Sequence, residues 1–493
     1  MKKFLLLFLG LGLFAVSCSD KDDEVVVTGP EIPDSSELIV QDFMWKSMNL
    51  WYFWQDDVDN LSDNKFANTQ EGLNNYLTFL NSEANPTDFL ENKILFDADR
   101  FTYFSDDYKE LTQSFEGISQ SNGLEFGLGI ISGTENIFGY VRYIIPNSNA
   151  ANTTITRGDF FTGVDGQTLN LSNYVDLLFG DNSTYTLNMA DYSNNTLTST
   201  TEEITLTKET NFVENPVFLT KVITKSDKKI GYVVYNGFTA NFDEELNSAF
   251  GDLKAQGITD LVLDLRYNPG GSVNSSIALS SMIYNTDTSK LFSKTIYNPK
   301  ITQAYVDAGY DLNNYFTNST SNGSAINTLN LNKVYIIALY SSASASELVI
   351  NGLAPYIDVI HVGDTTRGKN EFSTTLVDDP DFNYTYRDTR EGNINSNNSW
   401  AIQAIIGKSS NADNFSDYTS GLIPDIVLEE KVGDLGILGD ENEPLLARAL
   451  QEITGVSSKR DFSQGKPIQE ISNSKMFTPL KDNMYVTDLK NIK

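Results

Sequence analysis

The stretch Val334-Tyr335-Ile336-Ile337-Ala338-Leu339-Tyr340-Ser341-Ser342-Ala343-Ser344-Ala345-Ser346-Glu347 decides the fold. Its first six residues are apolar and rich in β-branched side chains, the pattern of a strand buried on both faces. A loop of small residues follows, and Glu347 to Ala354 reads as a helix. Strand, loop and helix in that order indicate an α/β unit. Ser344 then falls at a helix N-terminus, where unpaired N–H groups and the helix dipole favour developing negative charge. A serine there is equally an ordinary helix cap. The stretch by itself supports both readings.

Two neighbouring loops share the layout. The apolar strand Leu261 to Leu265 runs into Arg266-Tyr267-Asn268-Pro269-Gly270-Gly271, ahead of a helix over Val273 to Tyr284. Paired glycines let backbone N–H groups approach a ligand with no Cβ in the way. The N–H groups of Gly271 and Ala345 are therefore candidates for a two-donor oxyanion hole. A plain Pro-Gly turn is the competing reading. The strand Ile357 to Val362 leads into Gly363-Asp364-Thr365-Thr366-Arg367-Gly368-Lys369. That loop matches Gly-x-x-x-x-Gly-Lys, but a nucleotide-binding loop needs Ser or Thr next and then a helix. Asn370 follows instead, and Glu371 to Leu376 is β-like, which argues against nucleotide binding.

Composition narrows the chemistry further. The 493 residues include one histidine and one cysteine, so a hydrolase built from this chain has few ways to activate a nucleophile. A serine paired with a lysine remains available, and Ser344 and Lys369 are the candidates. His361 lies on the strand before the third loop and reads as a packed core histidine. The formal charge of −31 repels phosphate backbones and makes nucleic acid an unsuitable partner. No metal-ligating cluster and no cofactor motif is apparent in the sequence.

At the amino end, Lys2 and Lys3 precede an apolar run, Phe4 to Val16, too short to span a bilayer. With Ala15-Val16-Ser17-Cys18 it resembles a bacterial lipoprotein signal. That resemblance implies removal of residues 1–17, lipidation of Cys18, and anchoring to the outer membrane of a bacterial cell envelope. The acidic run Ser19 to Glu24 resembles the surface-export signal of Bacteroidetes lipoproteins. Residues 18–36, with Gly29-Pro30 and Pro33, read as a flexible tether. Residues 37–115 read as a helical domain, because Ile39, Phe43, Trp51 and Trp54 fall near helical spacing and Gly72 to Leu80 is a second helical stretch. Residues 117–210 are rich in strands, 218–431 alternate strands and helices, and 432–493 are polar apart from a helix over Glu443 to Ile453.

Asp264-Leu265-Arg266-x-Asn268-Pro269-Gly270-Gly271, then Ser342-Ala343-Ser344-Ala345-Ser346-Glu347, then Gly368-Lys369, in that order and spacing, resembles the C-terminal (tail-specific) processing peptidases. The resemblance covers about residues 37–430. It implies a crotonase-like ββα protease core, Ser344 as nucleophile and Lys369, 25 residues on, as its base. Glu347 matches a glutamate that some members carry, and its other reading is a first-turn acid complementing the helix dipole. Many members place an orienting glutamine four residues after the lysine; here that position is Ser373, which could hydrogen-bond Lys369 in its stead. Residues 117–210 resemble a PDZ domain, which implies capture of a peptide carboxylate by a glycine loop. Gly127-Leu128-Gly129 is the candidate loop. Within that pattern Arg157-Gly158-Asp159 is the turn entering a strand rather than an adhesion motif.

The expectation is a lipid-anchored serine endopeptidase cleaving unstructured protein or peptide tails. A peptide-binding relative without turnover and a surface glycan- or nutrient-binding lipoprotein, with aromatics of residues 45–54 lining a groove, are the alternatives.

Overall fold

The computed structural model describes residues 29–33, 36–457, 460, 462, 470–478, 482–490 and 492. The segment read as a lipoprotein signal, Cys18 and the acidic run after it lie outside the described residues.

From the amino end, α1 (Ile39–Trp51) and α2 (Gln70–Leu80) form where helical spacing predicted them. The strands β1 (Leu124–Ile130), β2 (Ile137–Ile144) and β3 (Phe160–Val164) come next, then α3 (Tyr174–Phe179), β4 (Thr184–Ser193) and β5 (Thr196–Thr207). The alternating unit starts with β6 (Val217–Lys225), β7 (Lys228–Tyr235), α4 (Asp243–Ala255) and β8 (Asp260–Asp264). It continues through the two-residue β9 (Gly271–Ser272), α5 (Val273–Ile283) and β10 (Leu291–Tyr297). Next are β11 (Lys333–Ala338), α6 (Ala345–Leu353), β12 (Asp358–Gly363), β13 (Glu371–Val377) and β14 (Ala401–Asn411). The chain closes with α7 (Pro444–Thr454), β15 (Glu470–Asn473) and β16 (Met484–Tyr485).

Three large sheets result among the described residues, beside a two-stranded one that pairs Ile118–Ser121 with Glu209–Val213. The first runs β6-β7-β8-β11-β12, ending on Ile426–Val427, and is parallel from β7 onward. Both of its faces are buried. On β7, Val233 and Tyr235 join one apolar cluster with α4, α5 and α6, while Ile230, Tyr232 and Val234 join another under α7. Period-2 alternation sends neighbouring side chains to opposite faces, so a strand covered by helices on both sides must be apolar throughout. The second sheet, β9-β16-β13-β14-β10, inserts the carboxyl-terminal β16 between two strands of the alternating unit. The third, β15-β1-β2-β3-β4-β5, packs on a core of its own containing Leu124, Leu128, Phe161 and Leu187.

Packing ties two of the segments read from the sequence to the rest of the fold. Residues 37–115 do not bury a separate core: Phe43, Met44 and Trp45 of α1 share one cluster with Leu263 and Ile336. Tyr103–Ser105 also adds to β14. At the other end, α7 covers a face of the parallel sheet, and β15 and β16 each complete a sheet, so residues 432–493 are built into the fold. A polar composition hid this, because each strand contributes only two to four residues.

Candidate active site

The loop after β11 assigns a different task to each small residue. Ser342 Oγ donates to the Leu265 carbonyl at 2.7 Å and accepts from Leu339 N–H, and Ser346 Oγ donates to the Asn268 carbonyl at 3.0 Å. Ala343 and Ala345 are fully buried. Ser344, between them, has no solvent exposure, and its Oγ has no hydrogen-bond partner among the described residues. Its backbone sits at φ 66°, ψ −115°, a region costly for a residue with a Cβ. A strained, buried, unpartnered hydroxyl at a helix start is poor as a cap and suited to a nucleophile. Ala345 opens α6, and its N–H is one of the helix's unpaired first-turn donors.

Glu347 organises this loop and the next one. Its Oε2 accepts the Ser344 N–H at 2.7 Å and the Lys369 N–H at 2.9 Å. Its Oε1 accepts the Gly368 N–H at 2.7 Å and the Thr366 hydroxyl. Burial pushes the carboxyl up to about 7, against those four donors, which favour the ionised form. One carboxylate oxygen thus ties the two candidate catalytic backbones together. Ser344 Oγ and Lys369 Nζ are not hydrogen-bonded to each other.

Lys369 has no solvent exposure. Its Nζ donates to Asn483 Oδ1 at 3.1 Å and lies 4.5 Å from the centroid of the Phe101 ring. Burial lowers the ammonium from its ordinary 10.5 to about 8, with Asp482 and Glu371 opposing. The Phe101 segment is fixed by Asp99, which accepts the Phe101 and Thr102 N–H groups, and by Arg100, which donates to the Gly368 carbonyl.

The Pro-Gly-Gly loop closes the site. Asn268 donates to the Tyr235 carbonyl and accepts the Gly270 N–H, both at 2.9 Å. Gly270 has φ 115°, and a Cβ there would stand 2.6 Å from Ser344 Cβ and 2.8 Å from the Asn483 carbonyl oxygen. Only glycine fits between them. Gly271 follows in β9, paired with Met484 of β16. A cleft of about 620 Å³ runs from Leu124, Phe126 and Tyr185 to Gly270 and Gly271. Ser344 lies behind that glycine floor.

Ser373 is buried on β13 but does not bond Lys369. Its Oγ lies 3.3 Å from Asn483 Oδ1 and 3.1 Å from the Met484 carbonyl, and it accepts from Gln403 Nε2 at 2.9 Å. His361 is packed as expected: Nε2 lies 3.1 Å from the Ala338 carbonyl, and burial lowers its basicity. Arg157 turns inward to Tyr267 and Glu430, which leaves the Arg-Gly-Asp triplet as a turn into β3.

Gly127, Leu128 and Gly129 are placed differently from expectation. They lie inside β1, paired with β2 on one side and β15 on the other, so they form no glycine loop. The alternation of Leu124, Phe126, Leu128 and Ile130 is the stronger signal and makes a strand. Gly127 is small because the Tyr140 ring lies across it, 2.3 Å from where a Cβ would be. The turn comes earlier, at Gly123, φ 80°. Asn483, Phe101 and Gly270 are the site residues the sequence reading missed. Gly270 alone carried a local signal, its place in the paired glycines.

The family model for peptidase family S41 matches residues 229–427, and that for the peptidase S41 N-terminal domain matches 40–103. A carboxyl-terminal-processing protease of a Picosynechococcus species is 27% identical over 172 residues, 35% of this chain and 36% of that protein. A carboxyl-terminal-processing protease of a Synechocystis species is 27% identical over 208 residues, 42% of this chain and 43% of that protein. The chain thus spans less than half the length of these relatives. Among solved structures, one from Bacteroides fragilis assigned to the S41 proteases superposes with a TM-score of 0.63 at 22% identity, covering 87% of this chain and all of the other. The photosystem II D1 C-terminal processing protease gives 0.50 at 18% identity, covering 85% and 98%.

Proposed function

Because the chain belongs to peptidase family S41, we propose that it is a serine endopeptidase of the C-terminal processing type, working through Ser344 and Lys369. The observation that carries this reading is the Glu347 carboxylate, which holds the N–H groups of both residues while the lysine amine is buried. An amine shifted to about 8 is neutral often enough near neutral pH to act as a base.

Lys369 Nζ takes the Ser344 proton as Oγ attacks the peptide carbonyl. In this reading the N–H groups of Ala345 and Gly271 receive the oxyanion, Gly271 turning its N–H out of the β9–β16 pairing to do so; that of Ser344 is held by Glu347. The Lys369 ammonium then protonates the departing amine; the neutral Lys369 amine deprotonates a water molecule that hydrolyses the acyl-enzyme, and passes that proton to the released Ser344 Oγ. Donors loose in the resting state tighten in the reacting complex. Oγ and Nζ, not hydrogen-bonded at rest, must come within hydrogen-bond distance in the reacting complex.

The same reading treats residues 218–431 as a crotonase-like core and 117–210 as a PDZ-like module. The substrate is an unstructured protein or peptide tail lying in the cleft between Phe126 and Gly271. β15 already fills the free edge of β1, so an arriving peptide must use the cleft or displace that strand. Cys18 carries the lipid anchor in this proposal, which places the enzyme on the outer membrane of a bacterial envelope. The test is digestion of fluorescein-labelled β-casein by the mature protein: Ser344→Ala should lose at least ~10³-fold in kcat/KM. Unchanged digestion would refute the assignment. A peptide binder without turnover draws on one observation, the complete burial of Ser344 and Lys369. The wild-type digest separates the two.

A further inference from the structure

The family's orienting glutamine has no counterpart on β13, where Ser373 stands, yet Lys369 is not left unaimed. The oxygen that accepts its Nζ comes from Asn483, 114 residues along the chain. We propose that Asn483, carried by the C-terminal segment, is the positioning residue that aims the Lys369 amine at Ser344. This deepens the Ser344–Lys369 reading and rests on it.

Three features make the placement specific. First, the Asn483 backbone is held against the site. Its carbonyl oxygen lies 2.8 Å from the Cβ position of Gly270, the residue that touches Ser344. Second, the segment is pinned on both sides. β16 pairs with β9 and β13, Val486 N–H donates to the Ser373 carbonyl at 3.0 Å, and Thr374 Oγ1 donates to the Val486 carbonyl at 3.0 Å. Met484 is fully buried, and the Tyr485 ring packs 4.4 Å from that of Phe115. Third, a relay backs the amide. Gln403 donates to Ser373 Oγ, and Ser373 Oγ lies within hydrogen-bond reach of the same Asn483 Oδ1 that Lys369 uses. Ser373 Oγ, which also lies 3.1 Å from the Met484 carbonyl, thus braces the Asn483 segment rather than bonding the lysine.

The chemical type of the residue matters. A neutral amide oxygen accepts from either protonation state of the lysine, so it fixes the amine's direction without trapping the proton. A carboxylate there would hold the ammonium and oppose its work as a base. The neighbouring Asp482 is instead paired with Arg367 at 3.2 Å.

The experiment is the pH dependence of β-casein hydrolysis by the mature protein carrying Asn483→Ala, Asn483→Asp or Asn483→Gln, alongside Ser344→Ala and Lys369→Ala. Asn483→Ala should lower kcat about 10- to 100-fold with KM little changed, the mark of lost positioning. Asn483→Asp should move the acid limb of the profile up by about 1 pH unit or more. Asn483→Gln should recover part of the alanine loss. Phe115→Leu loosens the same segment without touching the amide. It should lower Tm and leave the pH midpoint in place. If all three Asn483 variants keep the wild-type midpoint and differ only in folded fraction, Asn483 is structural and the inference fails. If Ser344→Ala or Lys369→Ala retains wild-type turnover, the dyad reading itself fails; if both are dead while the Asn483 variants match wild type, only this inference does.

Discussion

Two cations in this molecule are equally buried and have opposite fates. Arg266, in the loop after β8, has no solvent exposure and is surrounded by the carboxylates of Asp264, Glu430 and Glu443, at 2.7–3.0 Å. Those carboxylates hold its guanidinium protonated despite the burial. Lys369 has an amide oxygen and an aromatic face in place of a carboxylate, and burial wins. Burial makes a buried cation expensive, and the partner chosen decides whether the cost is met by pairing or by giving up the proton. The first solution fastens the start of α7 to the core through Glu443, and Arg157, ahead of β3, through the shared Glu430; the second makes a base.

The largest way to break this contrast is to keep the charge at 369 and remove its ability to titrate. Lys369→Arg should fold yet lose at least ~10³-fold in kcat/KM on labelled casein, since guanidinium does not deprotonate. Activity above a tenth of wild type would defeat the base assignment. On the Arg266 side, Glu443→Ala leaves buried charge uncompensated. It should cost about 3–5 kcal/mol in urea unfolding, while the pH midpoint of activity per folded molecule stays put.

A third test reads Lys369 through stability. Its native pKa, about 8, lies below its ordinary 10.5, so the native state sheds this proton first. Between pH 8 and 10.5 the unfolded chain binds more protons, and stability gains about 3 kcal/mol as pH rises through that window. Lys369→Met should lack that gain in paired denaturation series. The smallest expected effect is at Phe101, whose ring face favours the ammonium. Phe101→Leu removes about 0.5–1 kcal/mol of that preference, and the acid limb should move down by less than about 1 pH unit.

The catalytic strands and helices were legible because each carries its own periodicity and each functional loop sits at a strand end. Ser344 and Glu347 lie at one helix start and Lys369 in the loop after the next strand, all within 25 residues, and a local pattern exposes them. Asn483 immediately precedes a two-residue strand whose role arises only when β16 threads between β9 and β13. Nothing local marks an asparagine as a lysine's partner. The same limit explains Gly127-Leu128-Gly129. Glycines that admit a neighbouring tyrosine ring look, in sequence, like glycines that make a turn. The N-terminal helices are legible as helices, but not their shared core with the parallel sheet, because helical spacing reports an apolar face and not what covers it.

The most direct test is the rate at which a fluorophosphonate probe labels the mature protein at Ser344, followed across pH. The account predicts labelling that rises with a midpoint near pH 8, as the Lys369 ammonium gives up its proton, and that collapses in Lys369→Ala. Labelling that is flat with pH, or that survives Lys369→Ala at the wild-type rate, would contradict it.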